Sequence, residues 1–396
     1  MNYSSEHKTL VFLTSRFPYP LEKGDKLRAY HQIKHLSSLY NIVLISLSES
    51  KINEAQKKQL SVFCSEVHVI HLSKFQKYLG VLKASLSEKP FQVGYFYNYS
   101  IQHKINKILK KTKPDFIFCQ LIRVAEYVKS YHECPKMIDY MDALSLGMER
   151  RSKLEKGIKK ILFEKEGIRL QKYEHHIFDF FEKHLIISEQ DKLHILHKNQ
   201  HNIHVVPNGV DAAFFSPKST KKNYDIVFTG NMSYAPNINA AQFIVNEILP
   251  LLPKTTTVLI AGANPSNEVL SLESKRVNIS GWVNDIRDSY YDAKIFIAPM
   301  FLGTGLQNKL LEAMATGTPC ITTSLANNAL AAIPEHDILI AQDSETFSQQ
   351  IKELLTNDKK RNELAENGRK FILANYSWEK TNENLKNLIL KQILDR

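Results

Sequence analysis

The chain alternates short apolar runs with amphipathic stretches over nearly its whole length. Runs such as 9–14 (TLVFLT) and 41–47 (NIVLISL) predict buried strands, and 25–39 predicts a helix between them because its apolar residues repeat at helical spacing. The same pattern predicts further strands at 67–72, 114–120, 137–140, 185–188, 205–206, 225–229, 258–261, 277–280, 295–298 and 338–340. This alternation is typical of doubly wound α/β sheets, in which ligands bind at the carboxyl ends of the strands.

Helices are expected between these strands and at the end of the chain. They are predicted at 240–249, 286–293, 344–355 and 359–375, with a last helix that ends near 394, and the charged stretch 150–183 predicts one or two amphipathic helices. At 396 residues the chain fits two domains of ordinary size.

Glycines follow the strands of the second half in a regular way. Gly230, Gly262, Gly281 and Gly303 each come directly or shortly after a predicted strand. Because parallel strands end at one edge of their sheet, these glycines are expected to share that edge. The repetition predicts a trough of the size and shape of a nucleotide.

The stretch 299–319 (PMFLGTGLQNKLLEAMATGTP) joins a strand to a helix through a glycine-rich turn, Gly303-Thr304-Gly305. The helix is predicted from about 306 to 316, since Gly317 and Pro319 are placed to end it. Glycines let the backbone approach an anion, and the N–H groups of a first helical turn point at it. The stretch therefore predicts a phosphate site, with an ordinary βα turn as the alternative.

Three polar residues of this predicted helix share one face. Asn308, Lys309 and Glu312 lie three or four residues apart, so that Lys309 could meet a diphosphate and Glu312 could accept hydrogen bonds from a ribose. The alternative is a surface Lys–Glu pair without a ligand.

The segment GTGLQNKLLEAMATGTPCITT resembles the donor-binding segment of family 4 retaining glycosyltransferases, which are two-domain enzymes with the GT-B fold. Glu312 matches the second Glu of the family pattern, whereas the first Glu falls on Thr304. A Gly-x-Gly-x-x-x-Lys-x-x-Glu variant occurs in the family. The resemblance implies that this segment, including Gly303, Gly305, Leu306 and Asn308, binds a nucleotide-sugar donor.

Other segments extend the resemblance to nearly the whole chain. The PNGVD sequence at 207–211 resembles the crossover between the two domains of this family, which implies an acceptor-binding domain at 1–206 and a donor-binding domain at 207–376. It also implies that the last helix, 377–396, packs back on the first domain, with Trp378 buried near the crossing.

The resemblance also assigns roles around the strand-end glycines. The loop that contains Val283 and Asp285 would face the base of the donor, while Gly230, Asn231 and Gly262 would border the phosphates. Asp285 also reads as the N-cap of the next helix, and both roles are compatible. The basic residue that family members often carry shortly after the first glycine is absent here. Lys309 is expected to supply that charge, with Asn237 and Tyr234 as polar substitutes.

Two strand ends of the first domain carry candidate residues. Gly24, Asp25 and Arg28 follow the first strand, and the arrangement resembles the N-terminal loop of the same enzymes, with Arg28 as an anion contact. Asp139 and Asp142 lie at the end of the strand at 137–140, where the family places a residue close to the reacting sugar. A helix-capping Asp25 with a surface Arg28, and Asp142 as an N-cap, are the alternatives.

The formal net charge of +11 suggests an anionic partner. No nucleic-acid fold signature appears, so an anionic membrane surface and a nucleotide-sugar substrate are the preferred interpretation over a merely lysine-rich surface. The basic and aromatic run 74–99 predicts either an element that lies on a membrane or a helical hairpin that covers the sheet. Lys107, Lys110 and Lys111 add positive charge to the same domain.

No metal or cofactor is expected. No Asp-x-Asp sequence occurs, and the histidines at 194, 197, 201 and 204 are joined by no Cys or carboxylate in a zinc pattern. Scattered cysteines, and the absence of an apolar run long enough to span a membrane or of a signal peptide, favour a cytoplasmic location. Attachment to the inner face of the cytoplasmic membrane is the form that a membrane-contacting first domain would take.

The sequence therefore predicts transfer of a sugar from a nucleotide diphosphate to a hydroxyl of a glycan or lipid-linked glycan, by a hexosyltransferase-type enzyme of cell-surface polysaccharide or glycolipid synthesis. Retention at the anomeric carbon is implied by the resemblance alone. Two alternatives stand: a nucleotide-sugar epimerase of the same fold, and a nucleotide-sugar-binding protein without catalysis, which the missing first Glu favours.

Overall fold

The structure, a computed structural model, describes residues 8–21, 23–153, 155–211, 213–218, 220–302 and 306–394, with side chains up to 390. The chain divides into two compact units. The first comprises Met1–Pro207 and Thr381–Arg396, and the second is the continuous segment Asn208–Lys380.

The described part of the first domain contains one seven-stranded parallel sheet of spatial order β3-β2-β1-β4-β5-β6-β7. Its strands are β1 (Thr9–Thr14), β2 (Asn41–Ser48), β3 (Glu66–His71), β4 (Phe116–Gln120), β5 (Lys136–Asp139), β6 (Lys183–Ile186) and β7 (Ile203–Val205). Its helices are α1 (Gly24–Leu36), α2 (Glu54–Ser61), α3 (Lys74–Ser85), α4 (Phe91–Phe96), α5 (Tyr99–Thr112), α6 (Leu144–Ser152), α7 (Gly157–Phe178) and α8 (Glu189–Lys192).

Apolar layers cover both faces of this sheet, as its nearly continuous apolar strands require. In β1, Val11 and Leu13 belong to one layer and Leu10 and Phe12 to the other, because successive side chains point to opposite faces. The last helix, α16 (Trp378–Leu394), contributes Leu385 and Ile389 to the second layer. Helix α16 is therefore part of the core of the first domain.

The described part of the second domain contains one six-stranded parallel sheet of order β10-β9-β8-β11-β12-β13. Its strands are β8 (Tyr224–Thr229), β9 (Val258–Ala261), β10 (Val277–Gly281), β11 (Ala293–Ala298), β12 (Cys320–Thr322) and β13 (Leu339–Ile340). Its helices are α9 (Ala235–Phe243), α10 (Asn267–Leu270), α11 (Ile286–Tyr291), α12 (Asn308–Ala315), α13 (Ser324–Leu330), α14 (Ser344–Thr356) and α15 (Asp358–Asn375).

Both sheets reverse their strand order next to their first strand. The reversal lies between β1 and β4 in the first domain and between β8 and β11 in the second. At such a point the loops after the two central strands run to opposite faces of the sheet, which leaves a crevice at the carboxyl ends. The strand order therefore predicts a ligand site of the second domain at the residues after β8 and β11.

Some helices differ from the prediction in extent. The predicted helix at 240–249 begins earlier, as α9, and continues as a π-helical turn (Ile244–Ile248). The stretch 150–183 contains the last residues of α6 and the whole of α7, and 74–99 forms the helical hairpin α3–α4. Val93 and Phe96 of α4 pack into the core, so the hairpin covers the sheet. Within the residues described, no helix combines the length and apolarity that crossing a membrane requires.

Candidate active site

Two backbone segments approach each other closely at the carboxyl edge of the second sheet. A Cβ atom built on Gly262, after β9, would lie only 1.8 Å from the carbonyl oxygen of Gly230, after β8. A Cβ on Gly230 would lie 2.6 Å from Asn237 Nδ2 and 3.3 Å from Lys309 Nζ. A side chain at Gly262 would thus collide with the backbone of Gly230, and one at Gly230 would collide with Asn237. Gly303, Thr304 and Gly305, predicted to bind phosphate, lie outside the described residues.

Lys309 extends from the first turn of α12 over the end of β8. Its Nζ donates a hydrogen bond to Asn237 Oδ1 over 2.5 Å and lies 4.7 Å from the centre of the Phe228 ring and 3.8 Å from Met300 Sδ. Burial lowers the pKa of Lys309 to about 7, and the charge of Glu312 only partly opposes that effect. Burial thus makes the charged form of Lys309 costly, and a bound anion would stabilise that charged form.

Asn237 is held in place by the backbone of the same edge. Its Nδ2 donates to the carbonyl oxygen of Asn231 over 2.9 Å, and this leaves Oδ1 to accept from Lys309. Asn231 in turn accepts from Ser233 through its own Oδ1. Asn237, expected only as a polar substitute for the missing basic residue, therefore fixes the position of the Lys309 ammonium.

Glu312 lies one turn beyond Lys309 and ends a short chain of hydroxyl groups. Tyr290 Oη donates to Glu312 Oε2 over 2.7 Å and lies 2.9 Å from Thr229 Oγ1. Burial raises the pKa of Glu312 to about 7, although the bond from Tyr290 and the charge of Lys309 act in the opposite direction. Glu312 and Lys309 are both partly exposed, so a ligand can reach them.

Helix α12 begins at Asn308, two residues later than predicted, and its apolar face (Leu310, Leu311, Ala313 and Met314) is buried. Asn308 Oδ1 accepts a hydrogen bond from Asn208 Nδ2 over 3.0 Å, while Leu306 is buried just before the helix. The first amides of a helix have no partner within the helix and carry partial positive charge. The start of α12 therefore adds to the positive potential beside Lys309.

The loop after β10 is built differently from the others. Asp285 caps α11 by accepting from the Arg287 backbone N–H over 3.0 Å, so the N-cap interpretation is confirmed. Its carboxylate also pairs with the Arg287 guanidinium, whose hydrogen bonds hold the pKa of Asp285 below its usual range. Val283 is partly buried, and Trp282 projects into solvent. The two side chains leave a partly apolar surface at this loop.

In the first domain, Arg28 and Asp139 form an ion pair in the interior. Arg28 Nε donates to Asp139 Oδ2 over 2.6 Å, and both side chains are 0% exposed. Asp139 also accepts from Gln32 Nε2 and from the backbone N–H of Met141. The surface alternative for Arg28 is therefore wrong, and its expected contact with a substrate anion needs correction, because a fully buried guanidinium committed to Asp139 presents no surface to a ligand. The same burial removes Asp139 from direct contact with an acceptor.

The other first-domain candidates remain accessible. Gly24 starts α1, and Asp25, in its first turn, pairs with Arg16 over 2.8 Å. Asp142 follows a backbone with a positive φ of 61° at Met141 and is partly exposed. Burial, together with the neighbouring carboxylate of Asp191, raises the pKa of Asp142 to about 7. A carboxyl group of this kind exchanges its proton near neutral pH.

Sequence reasoning missed several groups of these two edges. The sequence pattern identifies Tyr290 only as a helix residue and Thr229 only as a strand residue. The position of Thr229 directly before Gly230 was the signal that it lies at the strand end, beside the candidate site. Arg123, after β4, was also missed. Its guanidinium donates to Gln92 Oε1 over 2.7 Å, and burial lowers its pKa to about 10. Its position after the strand that flanks the reversal of the first sheet was the signal that could have found it.

Within the residues described, no group of three or more His, Cys, Asp or Glu side chains is arranged to hold a metal ion. Of the four spaced histidines, His197 lies 3.2 Å from Asp179 and stacks on Phe178 with ring centres 3.9 Å apart.

Known proteins resemble both the second domain and the whole chain. Residues 223–357 match the family model described as glycosyl transferases group 1. An uncharacterized 44.6 kDa protein in the cps region of Klebsiella pneumoniae is 24% identical over 405 residues, which cover 94% of this chain and 97% of that protein. A UDP-Gal:alpha-D-GlcNAc-diphosphoundecaprenol alpha-1,3-galactosyltransferase of Escherichia coli is 26% identical over 219 residues, or 49% of this chain and 55% of that enzyme.

A solved structure shows the fold of the whole chain. HepE of Anabaena, in complex with UDP and glucose, superimposes with a TM-score of 0.70 at 13% identity, covering 97% of this chain and 99% of that one. The two parallel-sheet α/β domains are thus those of the GT-B fold. Together with the family match of the second domain, the relatives support a glycosyltransferase.

Proposed function

We propose that this chain is a family 4-like, retaining glycosyltransferase. It transfers a hexose from a UDP-sugar to a hydroxyl of a glycan or lipid-linked glycan, without a metal ion. The observation that carries the proposal is the partly buried ammonium of Lys309, anchored by Asn237 at the carboxyl edge of β8 and next to the first turn of α12. The UDP named for the Escherichia coli and Anabaena proteins supports uracil as the base of the donor.

Lys309 is proposed to stabilise the leaving diphosphate. When the bond between the anomeric carbon and the diphosphate breaks, negative charge grows on the departing phosphate oxygens. Fixed positive charge aimed at those oxygens stabilises the transition state more than the bound substrate, and this lowers the barrier. Lys309 supplies a full charge once protonated, while the start of α12 supplies about half a charge.

Glu312 is proposed to accept hydrogen bonds from hydroxyl groups of the donor. Tyr290 holds one of its oxygens at 2.7 Å, which fixes the carboxyl group and leaves the other oxygen for a ligand. Leu306, Asn308 and the glycine turn before them belong to the same proposed donor site, as do Asn231, Val283 and Asp285. In this assignment Gly230 and Gly262 keep the edge free of side chains.

The first domain is proposed to bind the acceptor. Asp142 is the candidate for contact with the reacting groups, since its raised pKa suits proton exchange near pH 7. Gly24 and Asp25 are proposed to border the acceptor. Arg28 and Asp139 are given a positioning role instead, because their buried pair supports the strand end that carries Met141 and Asp142.

Metal independence is proposed from the absence of an Asp-x-Asp sequence in the chain. In that case Lys309 and the start of α12 carry the charge that a divalent cation would otherwise supply. We further propose a cytoplasmic location and a place in cell-surface polysaccharide or glycolipid synthesis. The Klebsiella pneumoniae relative, of the cps region, is consistent with that place.

A panel of UDP-sugars, assayed with and without candidate acceptors, tests the function. We expect UDP release that depends on an acceptor, persists after exhaustive chelation, and yields a product with the anomeric configuration of the donor. Interconversion of the free nucleotide sugar without an acceptor would instead identify an epimerase. Tight binding of UDP-sugars with no turnover across the acceptor panel would identify a binding protein.

A further inference from the structure

Helix α3 presents its largest apolar side chains to solvent. Phe75 is 75% exposed, Tyr78 76%, Leu82 58% and, directly after the helix, Leu86 83%. These positions are three or four residues apart and form one stripe along the helix. A surface helix of a globular domain ordinarily turns such a stripe towards the core.

The inner face of α3 shows why the stripe points outward. Gly80 and Ala84 are the buried residues of the helix, and a Cβ on Gly80 would lie 2.1 Å from the carbonyl oxygen of Gly94 in α4. The two helices therefore touch backbone to backbone, through residues without bulk. Because the packing surface is built from small residues, no room exists on that side for the large ones, and the exposed stripe is a fixed feature of the hairpin.

Helix α7, which is attached to the end of α3, also carries exposed apolar side chains. Ile158, Ile161, Leu162 and Ile168 of this helix are also exposed. Arg169 Nη1 donates to the carbonyl oxygen of Ala84 over 3.2 Å, and Lys172 Nζ lies 3.6 Å from Glu88, so α7 is fastened to the end of α3. We call the exposed apolar side chains of α3 and α7, with Leu86, the docking face.

Lysines surround the docking face. Exposed lysines on and beside the two helices are Lys74, Lys83, Lys156, Lys159, Lys160, Lys165 and Lys172. Lys83 Nζ lies 5.3 Å from the ring centre of Tyr99, another exposed aromatic residue. A shallow groove of about 220 Å³ beside α7 is lined by Lys165, Arg169 and Lys172, together with Ile168 and with Glu88 from the loop after α3.

This combination selects one kind of partner. Apolar and aromatic side chains flanked by lysines match a bilayer surface, where the rings enter the boundary between headgroups and acyl chains and the lysines meet anionic headgroups. A second copy of the chain would bring the same lysines against one another, so charge opposes self-association through this face.

We infer that the docking face of α3 and α7 binds the surface of an anionic membrane, with the helices lying in the plane of the interface. The attachment is separate from the proposed sugar transfer and needs none of its residues. The lysines contribute an electrostatic attraction that salt screens, and the apolar side chains add a contribution that salt does not screen.

Vesicle flotation of the full chain tests the attachment. We expect binding to vesicles of phosphatidylcholine with about one third phosphatidylglycerol, weak binding to phosphatidylcholine alone, and partial release between about 0.05 and 0.5 M NaCl. The triple variant Phe75→Ser/Tyr78→Ser/Leu82→Ser should bind at least about tenfold more weakly. Lys74→Gln/Lys83→Gln should lose about thirtyfold, which corresponds to ~2 kcal/mol.

Matched variants make the outcome specific. Val62→Ser/Leu270→Ser/Ile333→Ser removes three exposed apolar side chains elsewhere, and Lys352→Gln/Lys359→Gln removes two exposed lysines of the second domain. Both should bind vesicles like the unmodified chain, and all variants should keep its thermal stabilisation by UDP. Failure to bind anionic vesicles at low salt would overturn the inference. So would equal losses in the matched variants, or a concentration-dependent dimer in sedimentation velocity that the triple variant abolishes.

Discussion

Lys309 and Asn237, 72 residues apart in the chain, meet across the end of β8 through a 2.5 Å hydrogen bond from Nζ to Oδ1. The contact holds the ammonium above a strand end that bears no side chain, because the residue below it is Gly230. A flexible lysine is thereby fixed beside the first turn of α12 before any ligand arrives. Such preorganisation is what makes an electrostatic contact effective in a transition state.

Replacing Lys309 by alanine should slow the reaction much more than it changes the fold. Loss of one such contact costs ~3 kcal/mol of transition-state stabilisation, which is about a hundredfold in kcat. Lys309→Arg should recover part of the rate, since it restores the charge. Steady-state kinetics with a UDP-sugar and an acceptor measure both variants. An alanine variant within about threefold of the unmodified rate would contradict the proposed role.

Glu312→Gln should weaken donor binding while the domain stays folded. The amide keeps the size of the side chain but loses the carboxylate, so a hydrogen bond to a charged acceptor worth ~2 kcal/mol becomes weaker. Calorimetric titration with a UDP-sugar should show a Kd raised by about tenfold or more. Tyr290→Phe, which removes the hydrogen bond that holds Glu312, should have a smaller effect of the same sign. An unchanged Kd in Glu312→Gln would remove Glu312 from the donor site.

Donor affinity should fall as pH rises above neutrality. Burial lowers the pKa of Lys309 from its ordinary value of 10.5 to about 7, so above that pH the empty site loses its positive charge and must take up a proton to bind a diphosphate. Glu312, whose pKa burial raises to about 7, titrates over the same range, so the contributions of the two groups must be separated with variants. Between pH 7 and 8.5 the Kd of a UDP-sugar should rise about fifteenfold, because Lys309 is already half deprotonated at pH 7 and binding takes up a full proton only well above its pKa.

Proton uptake itself can be measured by calorimetry in buffers of different ionisation enthalpy. The slope that persists in Glu312→Gln belongs to Lys309, and Lys309→Met should lose it. A Kd independent of pH between 6 and 8.5 in the unmodified chain would show that Lys309 does not face the diphosphate.

Arg28→Ala should act on stability rather than specifically on turnover. Removing one partner of the buried pair leaves the carboxylate of Asp139 uncompensated, which costs ~3–5 kcal/mol. Urea unfolding should show that loss, and the double variant Arg28→Met/Asp139→Asn should recover much of it. If the Arg28→Ala variant kept its stability but lost most of its kcat, Arg28 would have to contact the substrate, and the structural role would be wrong.

The longer buried strands were the part of the fold that the sequence predicted best, whereas the short β12 (Cys320–Thr322) was not predicted. Runs such as Thr9–Thr14 and Val258–Ala261 are buried on both sides, and a continuous apolar run is the direct signature of that environment. Helix ends were less certain. Helix α12 starts at Asn308 because the backbone of Gln307 is extended, whereas Leu306, buried just before it, fits the apolar spacing of a first helical turn.

Side-chain direction was harder to predict than the elements themselves. Pattern reasoning takes Arg28 as an anion contact or a surface residue because it is charged, whereas Asp139, 111 positions away, compensates that charge in the interior. The same reasoning could not decide which way α3 faces, since this depends on the contact of Gly80 with Gly94. The Lys309–Asn237 contact likewise depends on two loops brought together only by the strand order. Each of these features is a long-range pairing that no local period encodes.

The division of the chain also bears on the order in which its parts can form during synthesis. The second domain is one uninterrupted segment, Asn208–Lys380, whereas the core of the first includes Leu385 and Ile389 of α16. When residue 380 has been synthesised, every residue of the second domain exists, whereas residues 381–396 of the first domain do not. The first domain, although most of it is synthesised earlier, therefore cannot complete its core until the second domain has been synthesised, and part of its apolar layer stays uncovered until then. Chaperones that bind nascent chains would meet the first domain at that stage, through the surface that α16 later covers.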